Sequence, residues 1–215
     1  MTVSRRSSGL LLEDRSSLTA APTELVDRSR FRNDGAYVNM NTAVQLPKGL
    51  YAHSFNGTTS KINCGSDFIQ VTATIEVWIN PNTWGSGASS IRIIDNGQLI
   101  LLSMDTLALQ FTSDAYGSDA VSANNAITLN QWQLISVTRT ATGVVNIYVN
   151  GVLSGVADQA SGTPIVGTTN IFIGNNNGGT RGFGGYLALP HIYNYALNAG
   201  QIEKIYSSQR GFFRV

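Results

Sequence analysis

The stretch VVNIYVNGVLSG, residues 144–155, carries the reading that decides the fold. Val145, Ile147 and Val149 alternate with polar or smaller neighbours, Asn150-Gly151 supplies the two positive φ angles of a type I′ turn, and Val152 and Leu153 begin the return strand. Outward from this hairpin the same grammar recurs. Trp132 to Arg139 precedes it as a strand and Thr169 to Ile173 follows it. Further back, Ile91 to Asp95 turns at Asn96-Gly97 into Gln98 to Met104, and Leu107 to Phe111 continues the series. Val71 to Ile79 alternates, with Ala73, Ile75, Val77 and Ile79 on one face and Thr74, Glu76 and Trp78 on the other, and Asn80-Pro81 stops it. Many short strands with Gly and Asn turns specify an all-β, two-sheet antiparallel sandwich of the jelly-roll type. One or two helical turns are expected only at Asn198 to Tyr206, where Ile202, Ile205 and Tyr206 fall at helical spacing after an Asn198 cap.

At 215 residues the chain is long enough to bury a large core in one domain. Charged residues are 13% of it, about half the usual share, so its surface is wetted by amides and hydroxyls. A net charge of +1 argues against nucleic acid as a partner. A single cysteine, Cys64, excludes an intrachain disulfide framework and reads as a packed strand residue. The first apolar run, Leu10 to Leu12, is far short of the ~7–15 residues of a signal-peptide core, and no run approaches the ~18 of a membrane span. Synthesis in the cytosol without membrane insertion is the expectation.

Three zones follow: an extended arm over residues 1–24, the sandwich over 25–206, and a short tail over 207–215. The first zone and the start of the second concentrate Arg5, Arg6, Arg15, Arg28, Arg30 and Arg32, which Glu13, Asp14, Glu24, Asp27 and Asp34 balance as solvated ion pairs. The tail holds Arg210, Phe212 and Phe213.

The order of segments resembles a known family. Leu25 to Ala36, Tyr51-Ala-His-Ser-Phe-Asn-Gly57 and Thr74-Ile-Glu-Val-Trp-Ile-Asn-Pro81 look like the first half of a laminin G-like, concanavalin A-like jelly roll. Leu129 to Arg139 followed by Asn146-Ile-Tyr-Val-Asn-Gly-Val-Leu153 is similar to that family's apolar strand and "YVNG" hairpin, and Ile171-Phe-Ile-Gly174, Phe183-Gly-Gly185 and Ile192 to Leu197 resemble its closing strands. The resemblance spans about residues 25–206 and implies the lectin and glucanase sandwich.

Fold does not give function. Glycosidases that the family includes carry acidic residues at alternate positions of one strand, because period 2 aims their carboxylates into one cleft. Glu76 stands alone between Ile75 and Val77, and His53 and His191 have no partner at motif spacing, so no enzyme is expected. Resemblance to calcium lectins raises Asp95, Asn96 and Asp105 as candidate Ca²⁺ ligands, although Asp95-Asn96-Gly97 is first of all a turn and no D-x-D-x-D loop exists. Trp84 and Tyr116 could stack on a sugar, and Asn175, Asn176, Asn177 and Arg181 could hydrogen-bond its hydroxyls. Asn56-Gly57-Thr58 reads as a turn rather than a glycan acceptor.

The terminal zones suggest a different role. An arm with so few apolar residues cannot order itself, so its holder is expected outside the domain. That picture fits a virion component, a bacteriophage capsid decoration or tail-associated protein. It would grip the major capsid protein or further copies of itself through the arginines and Phe212 and Phe213, with cell-surface glycans on the outer loops. The alternative is a calcium-dependent carbohydrate-binding module of a bacterial extracellular or surface protein.

Overall fold

A computed structural model describes residues 10–13, 22–65, 71–85, 90–97, 99–113, 119–155, 158–159 and 169–215. The strands in chain order are β1 (Leu10–Glu13), β2 (Glu24–Leu25), β3 (Gly35–Val38), β4 (Asn41–Gln45), β5 (Tyr51–Asn56), β6 (Lys61–Asn63), β7 (Ala73–Pro81), β8 (Arg92–Asp95) and β9 (Leu99–Met104). They continue with β10 (Ala108–Ser113), β11 (Ala120–Val121), β12 (Gln133–Arg139), β13 (Val144–Val149), β14 (Val152–Leu153), β15 (Asp158–Gln159), β16 (Phe172–Ile173) and β17 (Gly184–Tyr193), and the helix α1 spans Ala199–Phe213.

Two antiparallel sheets face each other. One runs β14-β13-β12-β7-β17-β5-β4 with β1 added on β17 and β15 on β13, and the other runs β11-β10-β9-β8-β16-β6-β3-β2. The jelly-roll sandwich expected from the alternating pattern is therefore the fold. The Asn150-Gly151 hairpin joins β13 to β14, with Asn150 and Gly151 at φ 52° and 82°. Between the sheets lies the main core: Ile75, Val77 and Ile79 of β7 meet Ile135 and Val137 of β12, Val145 and Ile147 of β13, and Ile62, Ile93, Leu101 and Leu109 of the opposite sheet.

Strand β7 is buried on both faces, which its amphipathic alternation does not announce. Its second face, Thr74, Glu76 and Trp78, lies under α1 and the Tyr195–Leu197 segment, whose Tyr195 carbonyl accepts from Thr74 Oγ1 and whose Leu197 N–H donates to it. A second apolar cluster forms there from Leu46, Leu50, Ala52, Trp78, Leu134, Ala188 and Phe213.

The structure corrects the reading of both ends. The helix does not stop at Tyr206 but runs 15 residues to Phe213. Its continuation escaped the pattern because its anchors after Tyr206 are one polar and one aromatic side chain: Gln209 accepts from the Trp78 indole at 2.7 Å, and Phe213 stacks on the Trp78 ring at 4.0 Å. The helix begins in a capping box, with Asn198 and Gln201 each accepting the other's backbone N–H. Asn198→Ala is expected to cost about 1 kcal/mol in urea denaturation, the usual worth of such a cap.

At the other end, β1 is ordered by the domain itself. Leu12 is fully buried opposite Ile192, and Glu13 pairs with His191. Asp27, expected in a solvated ion pair, is instead buried, and its carboxylate accepts from the backbone N–H groups of Glu13, Ser29 and Asn33 and from the Ser29 hydroxyl. It clips β1 to the loop that leads into β3. Among the described residues no cation pairs with it, and its burial is tolerable because four donors replace the lost water.

Candidate functional site

The outer face of the nine-stranded sheet is only partly roofed. Past the end of α1, register places Asn41, Ser54, Tyr186 and Asn80 side by side across β4, β5, β17 and β7. Trp132 enters just before β12, its ring 6.4 Å from that of Tyr186 and tilted by 35°, a spacing normal for neighbouring aromatics. Beneath the Trp132 ring lies Phe213 at 4.8 Å, so the indole is braced by the end of the helix. Both aromatics are half-buried, while Asn41, Asn82 and Thr83 are exposed. Gly184 makes the last two possible neighbours: a Cβ there would lie 2.6 Å from Thr83 Oγ1 and 2.7 Å from Asn82 Oδ1.

The chemistry of this strip is uniform. Two aromatic faces stand among neutral amides and hydroxyls, and among the described residues no hydrogen bond engages the polar side-chain groups of Trp132, Tyr186, Asn80, Asn41, Asn82 or Thr83. A half-covered surface that leaves donors and acceptors unspent can exchange them with a ligand's hydroxyls, while the rings cover its C–H faces.

The candidate residues read from sequence are placed elsewhere. Trp84 packs against the main core and donates its indole N–H to the Ala108 carbonyl at 3.2 Å. Tyr116 lies outside the described residues, as do Arg5, Arg6 and Arg15. Asn175 is fully buried and staples its loop, donating to the Thr58 and Ser60 carbonyls and accepting from Asn176 and Arg181 N–H. Asn176 accepts from Thr180 N–H, which leaves Asn177 at the tip. Asn56 accepts from the N–H groups of Thr58, Thr59 and Ser60, as its turn reading requires.

The calcium candidates do not fit a cation. Asp95 is buried, with one oxygen accepting from Gly97 N–H at 2.7 Å and the other 3.3 Å from Arg92 Nε. Asn96 is buried beside it, and Asp105 sits at the far end of β9. No group of three or more metal-binding side chains occurs among the described residues. Asp95 and Asn96 are turn residues at one end of β9 and Asp105 lies at the other, so the three are not brought together.

The assembly candidates divide. Phe213 belongs to the domain's own second cluster, whereas Phe212 is 41% exposed. Arg28 and Arg32 are exposed around the Asp27 clip, Arg30 lies over the Phe31 ring at 4.6 Å, and Arg210 sits 6.0 Å from the Tyr206 ring centre.

Residues 55–203 match the family model of the concanavalin A-like lectin/glucanases superfamily. The chain belongs to this superfamily. Solved structures share the concanavalin A-like fold at low identity. Domain 4 of an extracellular arabinanase from Geobacillus stearothermophilus, solved in complex with arabinotriose, aligns over 92% of this chain and 98% of its own, at 16% identity and a TM-score of 0.69. The binding domain of Paraclostridial Mosquitocidal Protein 1 aligns over 93% of this chain and 52% of its own, at 17% identity and a TM-score of 0.69. A structure of botulinum neurotoxin type C, whose cell entry depends on interaction with two ganglioside molecules, aligns over 94% and 52%, at 16% identity and a TM-score of 0.65. The chain thus spans about half the length of these toxin domains. No curated relative matches in sequence. Among the described residues no helix is long and apolar enough to cross a membrane.

Trp132 and Tyr186 were not singled out from sequence. Trp132 reads as the start of an apolar strand and Tyr186 as a closing-strand residue, and only the register across β7, β17 and β5 makes them neighbours. The one available signal was negative: Gly184-Gly185 beside a tyrosine marks a close backbone approach.

Proposed function

We propose that this domain is a non-catalytic carbohydrate-binding module that takes a neutral oligosaccharide across the open end of the nine-stranded sheet. The observation that carries this reading is the strip of amides and hydroxyls that no hydrogen bond among the described residues engages, around the tilted Trp132 and Tyr186 rings. The arabinotriose complex of a same-sized concanavalin A-like domain supports it, as does the ganglioside-dependent toxin. An extracellular or surface placement follows from the same reading.

Binding is favoured over hydrolysis because Glu76, the acidic residue of β7, is 1% exposed with a carboxyl oxygen on the Ser136 hydroxyl, four residues along the strand from Asn80 of the strip. The virus-particle reading relied on termini held from outside. Leu12 of β1 and Phe213 of α1 are instead buried within the domain itself, which takes those two residues out of that reading, while residues 1–9 and 14–21 lie outside the described ones. The test is a panel of neutral and acidic oligosaccharides, followed by calorimetry on the best binder. Tyr186→Ala and Trp132→Ala are each expected to weaken binding about tenfold, a 1.4 kcal/mol loss of aromatic contact, with chelation leaving affinity unchanged. Unaltered affinity in Tyr186→Ala, with the fold intact by circular dichroism, would place any sugar site elsewhere.

A further inference from the structure

Four Asn-Gly pairs occur in the described residues: 56–57, 96–97, 150–151 and 177–178. Such a pair can close on itself when the glycine nitrogen reaches the asparagine Cγ, and the fold blocks three of them in different ways. Gly57 N–H is committed to the Phe183 carbonyl at 3.0 Å, while Asn56 Oδ1 is held by three backbone donors. Gly97 N–H donates to Asp95 Oδ1 at 2.7 Å, and Asn96 is fully buried. Asn150 Oδ1 accepts from Leu134 N–H at 2.9 Å, and Gly151 is pressed against Glu203 and Tyr206 of the helix.

Asn177-Gly178 is the opposite case. Both residues are exposed, no hydrogen bond among the described residues uses the Asn177 side chain or the Gly178 N–H, and a Cβ at Gly178 would meet only Asn176 Nδ2 at 3.9 Å and Thr180 Oγ1 at 4.0 Å, ordinary contacts that leave the backbone free to turn. The turn that presents them is held by Gly179 N–H on the Asn176 carbonyl at 3.1 Å and by Thr180 N–H on Asn176 Oδ1, neither of which occupies the reacting atoms. The Lys61 ammonium donates to the Asn177 carbonyl at 2.6 Å. That carbonyl belongs to the peptide bond whose nitrogen is Gly178. A cation on its oxygen draws electron density from the bond and acidifies the Gly178 N–H, the proton that must leave first.

We propose that Asn177 is a built-in deamidation site, singled out by the fold and promoted by Lys61. The Gly178 nitrogen loses its proton to solvent base and bonds to Asn177 Cγ. The Cγ–Nδ2 bond then breaks, ammonia leaves with a proton taken from water, and a succinimide remains. Water opens the ring at either carbonyl, giving aspartyl and isoaspartyl products. No electron transfer is involved. Each event removes one unit from the net charge of +1 and places a carboxylate at a loop tip beside Lys61. The isoaspartyl product also lengthens the backbone inside the turn. The site stands whether or not the domain binds sugar.

The intact folded protein, incubated in mildly alkaline buffer at body temperature, is mapped by peptide mass spectrometry, with methyltransferase labelling of isoaspartyl residues. Position 177 is expected to convert while 56, 96 and 150 stay amidated, and the four are expected to converge when the chain is unfolded in denaturant. Lys61→Gln is expected to slow conversion at 177 severalfold. Conversion at any of the other three pairs as fast as at 177 in the folded protein, or an amide at 177 that persists through the incubation, overturns the site. An unchanged rate in Lys61→Gln overturns the promoting role of the lysine.

Discussion

Trp78→Ala is expected to destabilise the domain by about 3–5 kcal/mol, the cost of emptying a fully enclosed aromatic site. Trp78 is 0% exposed at the centre of β7. Its ring stacks on Phe213 at 4.0 Å and on Tyr206 at 5.8 Å, and its indole N–H is satisfied by Gln209. All three partners come from α1, so one substitution removes the main apolar anchor of the helix and leaves Gln209 without its donor. Urea denaturation gives the loss, and amide exchange along residues 199–213 shows where it falls. Faster exchange confined to the helix, with the two sheets still protected, would show α1 docking on a sandwich that stands without it. Loss below about 1 kcal/mol would mean the cavity collapses and the helix holds by its other contacts.

The second large effect is on pH dependence. Glu76 is 1% exposed, one carboxyl oxygen accepts from the Ser136 hydroxyl at 3.1 Å, and among the described residues Oε2 has no hydrogen-bond partner. Burial disfavours the charged form and pushes its pKa from 4.5 up to about 7, with the Ser136 and Tyr193 hydroxyls pulling the other way. Tyr193, close by, is itself pushed up by burial and then by the charge of Glu76, so it stays a neutral phenol. Between pH 4.5 and about 7 the folded state holds a proton that the unfolded state has lost. The stability tied to that proton is fully present below the lower value and is lost as pH rises through the upper one, about 3 kcal/mol in all.

Glu76→Gln keeps the shape and the Ser136 contact but cannot ionise. It is expected to be more stable than the parent at neutral and alkaline pH and to match it under acid conditions. Denaturation midpoints of both proteins across the window measure the difference. His191 stands directly opposite Glu76 in β17 and is present in both proteins. Parallel curves would show that the Glu76 carboxyl is hydrated in the folded protein.

These two residues also mark the boundary of what could be read from the chain. The alternation of Ala73 to Ile79 was legible because period 2 is a property of any strand with a buried face, and those inward positions are core. The opposite face was not, because Thr74 and Trp78 are covered by the Tyr195–Leu197 segment and by α1, both more than a hundred residues away in sequence. The helix start was legible in Asn198, a local cap. Its second half was not, since Gln209 gains its meaning from the Trp78 indole. Likewise the Asn175–Arg181 segment announced a turn through local side-chain to backbone bonding. Whether its amides were spent inward, as for Asn175, or left outward, as for Asn177, depended on Thr58, Ser60 and Lys61.

Hydrophobic period, Asn-Gly turns and helix caps act over a few residues, and they made β7 to β10, β12 to β14, β16, the sandwich and the superfamily legible in the chain. Tertiary structure decided which second faces are covered, that β1 and the end of α1 belong to the domain's own core, and that Trp132, Tyr186 and Asn80 share one open strip. The reason is register: pairing across β12, β7, β17 and β5 brings distant residues side by side, and no local pattern encodes which strand will lie next to which.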